Sequence, residues 1–213
     1  MGLIPIIIMA FILFVSSGRL DWIMAWILLG IHLVGTIFIS LKINSGLIDE
    51  RTQEKEGIKN WDALLVLIMN IVGLSVLLIA GLDIRFEWSG LVPLPIEIIA
   101  MVIVIFGYAV LAWAAISNEY FSRVVRIQEE RGHSVITSGP YYYIRHPGYL
   151  GLILCAIAQP LMLGSFWALI PAIFTVLILF VRTNLEDRTL QEELADYKDY
   201  TLQVRYRLFL GVW

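Results

Sequence analysis

Two stretches carry the residue types that could do chemistry. Residues 139–149 read GPYYYIRHPGY, and residues 182–200 read RTNLEDRTLQEELADYKDY. The first offers a guanidinium, an imidazole and a cluster of phenols. The second offers Arg182 and the adjacent carboxylates Glu186 and Asp187. Arginine grips carboxylates with two parallel hydrogen bonds. Tyrosine rings stack on flat groups or face cations. Histidine gives or takes a proton near neutral pH. Together they suit a pocket for a small polar molecule with both charge signs. Arg182, Glu186, Leu190 and Glu193 recur at helical spacing and share one face. Leu190, Leu194 and Tyr197 form a neighbouring apolar stripe. The plainer alternative is a surface helix with ordinary i,i+4 salt bridges, and for Pro147 the first position of a helix.

The rest of the chain must hold these residues at a membrane. Of 213 residues, 59% are hydrophobic and 15% are charged. Soluble domains carry about 25% charge. Mean hydropathy is +0.81. The composition is that of an all-α integral membrane protein. Net charge is −3 and no basic, aromatic-interleaved stripe occurs, which argues against a nucleic-acid partner. The single cysteine, Cys155, lies in an apolar run and reads as a packing residue.

A bilayer core needs ~20 apolar residues per helix. Candidate spans are 3–16, 22–41, 63–82 and 96–117. The first lacks a basic leader and a small-residue cleavage site, so it reads as an uncleaved span rather than a signal peptide. A further apolar block, 149–181, would extend ~50 Å as one helix. It contains Pro160 and Gly164, both natural breakers. It therefore reads as a helical hairpin, giving five to six membrane segments. Lysines and arginines collect in 42–62 (Lys42, Arg51, Lys55, Lys59), in 118–148 (Arg123, Arg126, Arg131, Arg145) and beyond 182. The other connections hold Arg19 and Arg85. Basic residues mark the cytoplasmic side. Three basic segments share one face when 149–181 enters and returns, which places both termini in the cytoplasm. The turn 83–95 is then external.

The hairpin brings Arg145 and His146 to the same membrane face as Arg182, Glu186 and Asp187. The helix after 182 is expected to continue the last span into the cytosol. Residues 118–148 are polar yet punctuated by Gly132, Gly139, Pro140 and Pro147, as folded backbone at a membrane surface would be. The chain divides into a scaffold, 1–117, and a catalytic, cofactor-binding region, 118–213. Within the scaffold, Gly73, Ser75 and Gly81 suit close helix contact. His32 and Asn70 read as interhelical polar contacts. His133 and His146 lack ligand spacing, so no metal is expected.

The stretches GPYYYIRHPGYLG at 139–151 and LEDRTLQEELADYKDYTLQVRYRL at 185–208 resemble the isoprenylcysteine carboxyl methyltransferase family. Its wider kin include phospholipid N-methyltransferases. FSRVVRIQEERGHSVITSGP, just upstream, is similar to the bacterial branch. The resemblance implies a membrane-embedded methyltransferase that uses S-adenosylmethionine. No glycine-rich strand–turn–helix for a Rossmann site occurs. It also implies that Arg145, His146, Pro147 and Tyr149, with Glu186 and Asp187, line the cofactor pocket, and that Gly139, Pro140 and Tyr141 form the turn before it. Arg145, His146 and Glu186 are the implied catalytic residues. Glu186 would bind the donor's ribose or amino group, and Arg145 its carboxylate. The family's acid pair is commonly Glu-Glu, whereas here it is Glu186-Asp187. The tail has Phe209-Leu210 and no proline.

The implied acceptor is lipophilic, a prenylcysteine carboxylate or a phospholipid amine, reaching the site through membrane lipid. Two other readings compete. A membrane reductase would place Arg123 and Arg126 on the NADPH 2′-phosphate. A transporter would need polar or ionisable residues at the bilayer midplane, where the spans offer only His32 and Asn70.

Overall fold

The computed structural model describes residues 3–42 and 57–213. Arg51 and Lys55 of the expected basic loop lie outside the described residues. Within the described residues all regular structure is helical. The α-helices are α1 (Leu3–Ser17), α2 (Ile23–Lys42), α3 (Asn60–Phe86), α4 (Leu94–Ser117), α5 (Pro147–Met162), α6 (Leu169–Glu193) and α7 (Tyr197–Gln203). Short 3-10 turns occur at Glu129–Arg131 and Gly139–Tyr142. Helices α2, α3, α4 and α6 are each long and apolar enough to cross a membrane. The chain is an all-α integral membrane protein. Helices α1 and α5 have 15 and 16 residues. They reach about 23–24 Å, short of the ~30 Å hydrocarbon core.

Neighbouring helices close into a ring in the order α1, α2, α4, α5, α6, α3 and back to α1. Its main core joins Leu13, Leu28, Leu77, Val104, Met162 and Leu163, all buried. This core sits toward the short turns 18–22, 87–93 and 163–168.

The expected hairpin is present as α5 and α6, which pack together. Its break differs in place. Pro160 lies inside α5, and the chain turns only at 163–168. Gly164 takes φ +74° there, a conformation that favours glycine. The Ser165 hydroxyl donates to Asp83 of α3, and the Ala168 N–H donates to Ser165 Oγ at 3.1 Å. Asp83 also accepts from the Ser89 N–H at 2.7 Å and from the Ser89 hydroxyl. These bonds tie the hairpin turn to the α3–α4 turn. They hold the C-terminal end of α3, which runs past the apolar span 63–82 at both ends. Asp62 and Asp83 are buried there because each has specific partners.

Helix contacts depend on particular glycines. A Cβ on Gly107 would lie 2.8 Å from the Gly151 carbonyl oxygen, and one on Gly151 would lie 2.6 Å from that of Gly107. The α4–α5 approach is thus backbone to backbone. A Cβ on Gly81 would meet Ser16 Oγ at 1.8 Å, so its expected role in close packing holds. Gly73 faces open space and does not serve that role, and Ser75 bonds back to the Val72 carbonyl within its own helix. Cys155 is buried against Val104. Nδ1 of His32 meets the Tyr108 hydroxyl across α2 and α4. Asn70 is exposed on α3 and has no side-chain hydrogen bond among the described residues, contrary to expectation.

Candidate active site

The site is built where α5 begins. Pro147 occupies the first helical position and His146 the cap. Just upstream, Gly139 takes φ +61° to start the 3-10 turn. Pro140 and Tyr141 of that turn are buried. The Tyr200 hydroxyl donates to the Tyr141 carbonyl at 2.6 Å. The tail returns alongside. The Arg145 N–H donates to the Tyr206 carbonyl and the His146 N–H to that of Arg207, both at 2.9 Å. These bonds fix the backbone of the Arg-His pair from the far end of the chain.

Asp187 is the hub of the cluster, and it is fully buried. Arg145 grips it with two bonds, Nε at 2.7 Å and Nη2 at 3.1 Å. Nε2 of His146 lies 3.2 Å away and donates, because an ionised carboxylate only accepts. Arg207 Nε (2.8 Å), Gln191 Nε2 (2.9 Å) and the Tyr197 hydroxyl (3.2 Å) complete the set. A carboxylate offers about four lone-pair sites, so Asp187 is saturated. Arg145 is nearly so. Its Nη1 donates to the carbonyls of Val204 and Arg205, both at 2.8 Å. The expected pairing of Arg145 with a bound carboxylate is therefore replaced by a pairing inside the protein.

Glu186, one residue earlier, is different. It is half-buried, and the bond it makes is one accepted by Oε2 from the Tyr149 hydroxyl. Its other oxygen has no hydrogen-bond partner among the described residues. The Arg182 guanidinium lies over the Tyr149 ring, 5.4 Å from its centre. Arg182 does not pair with Glu186 one turn away. It grips buried Asp62 of α3 through Nε at 2.6 Å and Nη2 at 3.1 Å. Nη2 also donates to the Arg123 carbonyl at 2.7 Å. Asp62 in turn accepts the Val125 N–H at 2.7 Å. Glu193, the last residue of that helical face, pairs with Lys59 at 2.7 Å.

Residues 118–138 fold over α7. Buried Gln128 donates to the Tyr120 carbonyl at 2.9 Å and accepts from Arg131 Nη1 at 2.6 Å. Ile127 and Val135 pack against Leu190, Leu194, Tyr197, Tyr200 and Val204. The apolar stripe read from the sequence is this contact. His133 lies on Tyr120, with ring centres 4.4 Å apart, and Nδ1 accepts the Gln128 N–H at 3.3 Å. Burial, then Arg131 and Arg126, lower its pKa to about 4 against a smaller opposing effect of Glu130. Burial also pushes the Tyr141 phenol well above its ordinary value, with Asn118 opposing and Glu186 adding. That phenol stays a neutral donor. A cavity of about 340 Å³ lies on this side, lined by His133, Thr137, Asp196, Asp199, Tyr200 and Gln203 among others. None of the expected site residues lines it.

Residues 98–192 match the model of the isoprenylcysteine carboxyl methyltransferase (ICMT) family. This part of the chain is similar to that family. Matched relatives bear the name protein-S-isoprenylcysteine O-methyltransferase. The rat protein is 32% identical over 114 residues, covering 49% of this chain and 38% of the relative. The Saccharomyces cerevisiae protein is 34% identical over 86 residues, 39% of this chain and 36% of its own. The Schizosaccharomyces pombe protein is 34% identical over 50 residues, 24% and 21%. The matches thus span well under half the length of these relatives. The family region includes most of α4, which sequence reading assigned to the generic scaffold, and it stops before the tail.

The structure gathers every expected residue of the ICMT-type motif at one end of the α5–α6 hairpin. Gly139, Pro140, Tyr141 and Pro147 shape backbone. Arg145 and His146 both bond to Asp187. Tyr149 and Glu186 bond beside them. Sequence reading missed Asp62, Arg207, Gln128 and Gln191. Asp62 had one signal, an acid at the mouth of an apolar span. Arg207 and Gln191 had none beyond proximity in sequence to the motif.

Proposed function

We propose that the chain is an S-adenosylmethionine-dependent membrane methyltransferase acting on a lipophilic acceptor, an isoprenylcysteine-type carboxylate. The observation that carries this reading is Glu186. It is a half-buried carboxylate, oriented by the Tyr149 hydroxyl, with one oxygen left without a partner among the described residues. It lies within the ICMT region, and relatives of that region are named for this reaction. The residues present fit a donor with a cationic centre, an amino group and a ribose. That oxygen of Glu186 takes hydroxyl or ammonium protons, and tyrosine rings face a cation. When bound, the donor supplies an activated methyl carbon.

The chain's own residues then act by position. Glu186 and Tyr149 touch the donor, and His146 presents the edge not turned to Asp187. Arg145 and Asp187 are positioning residues that hold His146 and the tail in register. A carboxylate acceptor needs no base, so alignment in a water-poor site is the main contribution. Residues 118–213 form the donor-binding region on the 1–117 scaffold, with both termini in the cytoplasm. The test is calorimetric titration of the detergent-purified chain with S-adenosylmethionine and, in parallel, NADPH. The expected result is micromolar donor binding that Glu186→Gln abolishes. Binding of NADPH alone overturns the reading.

A further inference from the structure

Asn70 stands where an unpaired amide is disfavoured. It lies ~15 Å along α3 from Asn60, about half the thickness of a hydrocarbon core. It is exposed, and its side chain has no hydrogen-bond partner among the described residues. Lipid tails offer it no hydrogen bond. Its stem is too short to carry the amide out to the headgroups, as a lysine or arginine stem would. The face beside it is patterned. Leu64, Leu67, Ile71, Leu74 and Leu78 are all exposed. They recur at alternating steps of three and four residues, the spacing of a coiled-coil seam. Asn70 flanks this seam on one side and Ser75 flanks it on the other, at the g and e positions of the heptad. The Ser75 hydroxyl donates to the Val72 carbonyl at 2.7 Å, so its oxygen is left to accept.

We propose that α3 pairs in parallel with α3 of a second copy of this chain. Copies in one membrane share one orientation, so a two-fold axis along the membrane normal sets the two seams face to face. In a parallel pair, the g position of one helix meets the e position five residues on in the other. The amide hydrogens of Asn70, partially positive, then meet the partially negative oxygen of Ser75 in the second copy. The symmetry repeats the pair on the other side of the seam. Leucine and isoleucine alone pack as well against lipid tails as against a helix. The complementary polar pair is what favours a second copy over lipid. This surface is on α3, outside the ICMT region 98–192, and it stands independently of the methyltransferase reading.

Two measurements on the full chain test this. In detergent micelles, energy transfer between two fluorescently labelled pools gives the dissociation constant as the detergent-to-protein ratio is varied. Asn70→Leu and Ser75→Ala should each weaken association by roughly tenfold. The double variant should lose little more, because both changes break the same pair. The second measurement keeps Asn70 and Ser75 intact, and it carries the test if those variants do not fold. Leu67→Cys and Leu74→Cys are oxidised in the membranes that express them, with Trp113→Cys on the exposed face of α4 as the control. Buried Cys155 is common to all three. The two seam variants should form disulfide-linked dimers and the control should not. Association equal to wild type in both polar variants overturns the proposal, as does cross-linking at Trp113 in place of the seam. A wild-type chain that stays monomeric at the lowest detergent ratio overturns it too, and leaves Asn70 to a lipid or to another protein.

Discussion

Two adjacent acids, Glu186 and Asp187, have opposite fates because one helical residue turns them about 100° apart. Asp187 points into the seam with α5 and the tail, where three basic side chains and two neutral donors meet it. Glu186 points along α5 to Tyr149. Their failures should therefore differ in kind. Glu186→Gln should abolish donor binding and leave thermal unfolding in place. Asp187→Ala strands Arg145 and Arg207 in a buried seam. Breaking such a buried pair costs about 3–5 kcal/mol, and the check is a large drop in unfolding temperature in detergent. If Asp187→Ala melts like wild type and only donor binding is lost, Asp187 belongs with Glu186. The shorter side chain of Asp, a departure from the family's usual pair, suits a group that must sit deep among fixed partners.

At the scale of elements, the α4–α5 contact sets where the Arg-His pair begins. Gly151 is four residues from Pro147, and its Cα faces the Gly107 carbonyl. Gly151→Val should force the helices apart at a cost of about 1–3 kcal/mol or more, lowering the unfolding temperature and weakening donor binding together. Gly73→Ala, at an open position in mid-helix, should hold or raise stability by about 0.5–1 kcal/mol. A lower melting point for Gly73→Ala would show hidden contact on that face. The two glycines look alike in the sequence, since both lie in apolar spans. Hydrophobic length revealed the spans within a few residues, because membrane thickness constrains length directly. Which glycine faces a neighbour depends on helix order around the ring, which no local pattern carries. The same holds for Asp62. Its partner is 120 residues away, and only the closed ring brings α3 beside α6. Charge counting found the hairpin, yet Pro160 misled, since a helix near its last turn tolerates proline and the chain turns three residues later.

For the molecule as a whole, the polar half is a cap of loop, α7 and tail on one end of an apolar ring. His133 fastens this cap from inside and stays neutral, with a pKa lowered to about 4. An unfolded histidine titrates near 6.5. Between those values the unfolded chain binds more protons than the folded one, so stability falls as pH falls through that window. Melting curves from pH 7 to pH 4.5 should show a decline that His133→Gln reduces. A decline of equal size in the variant would place the sensitivity elsewhere. The membrane-facing half has few titratable groups and should be indifferent to this change. The motif residues were legible because they are contiguous. The cap that orders them was not, since Arg207 meets residues as far back as His146, and the local bonds of Gln128 leave no pattern in the sequence.

The tail has a consequence in time. The backbone of Arg145 and His146 is held by Tyr206 and Arg207, and Asp187 waits for the Arg207 guanidinium. A ribosome delivers those residues after α1 through α6. A nascent chain interrupted before residue 204 would be inserted and largely helical, yet unable to seat its own Arg-His pair. Synthesis of residues 204–207 is thus the step that lets the newborn protein seat this pair.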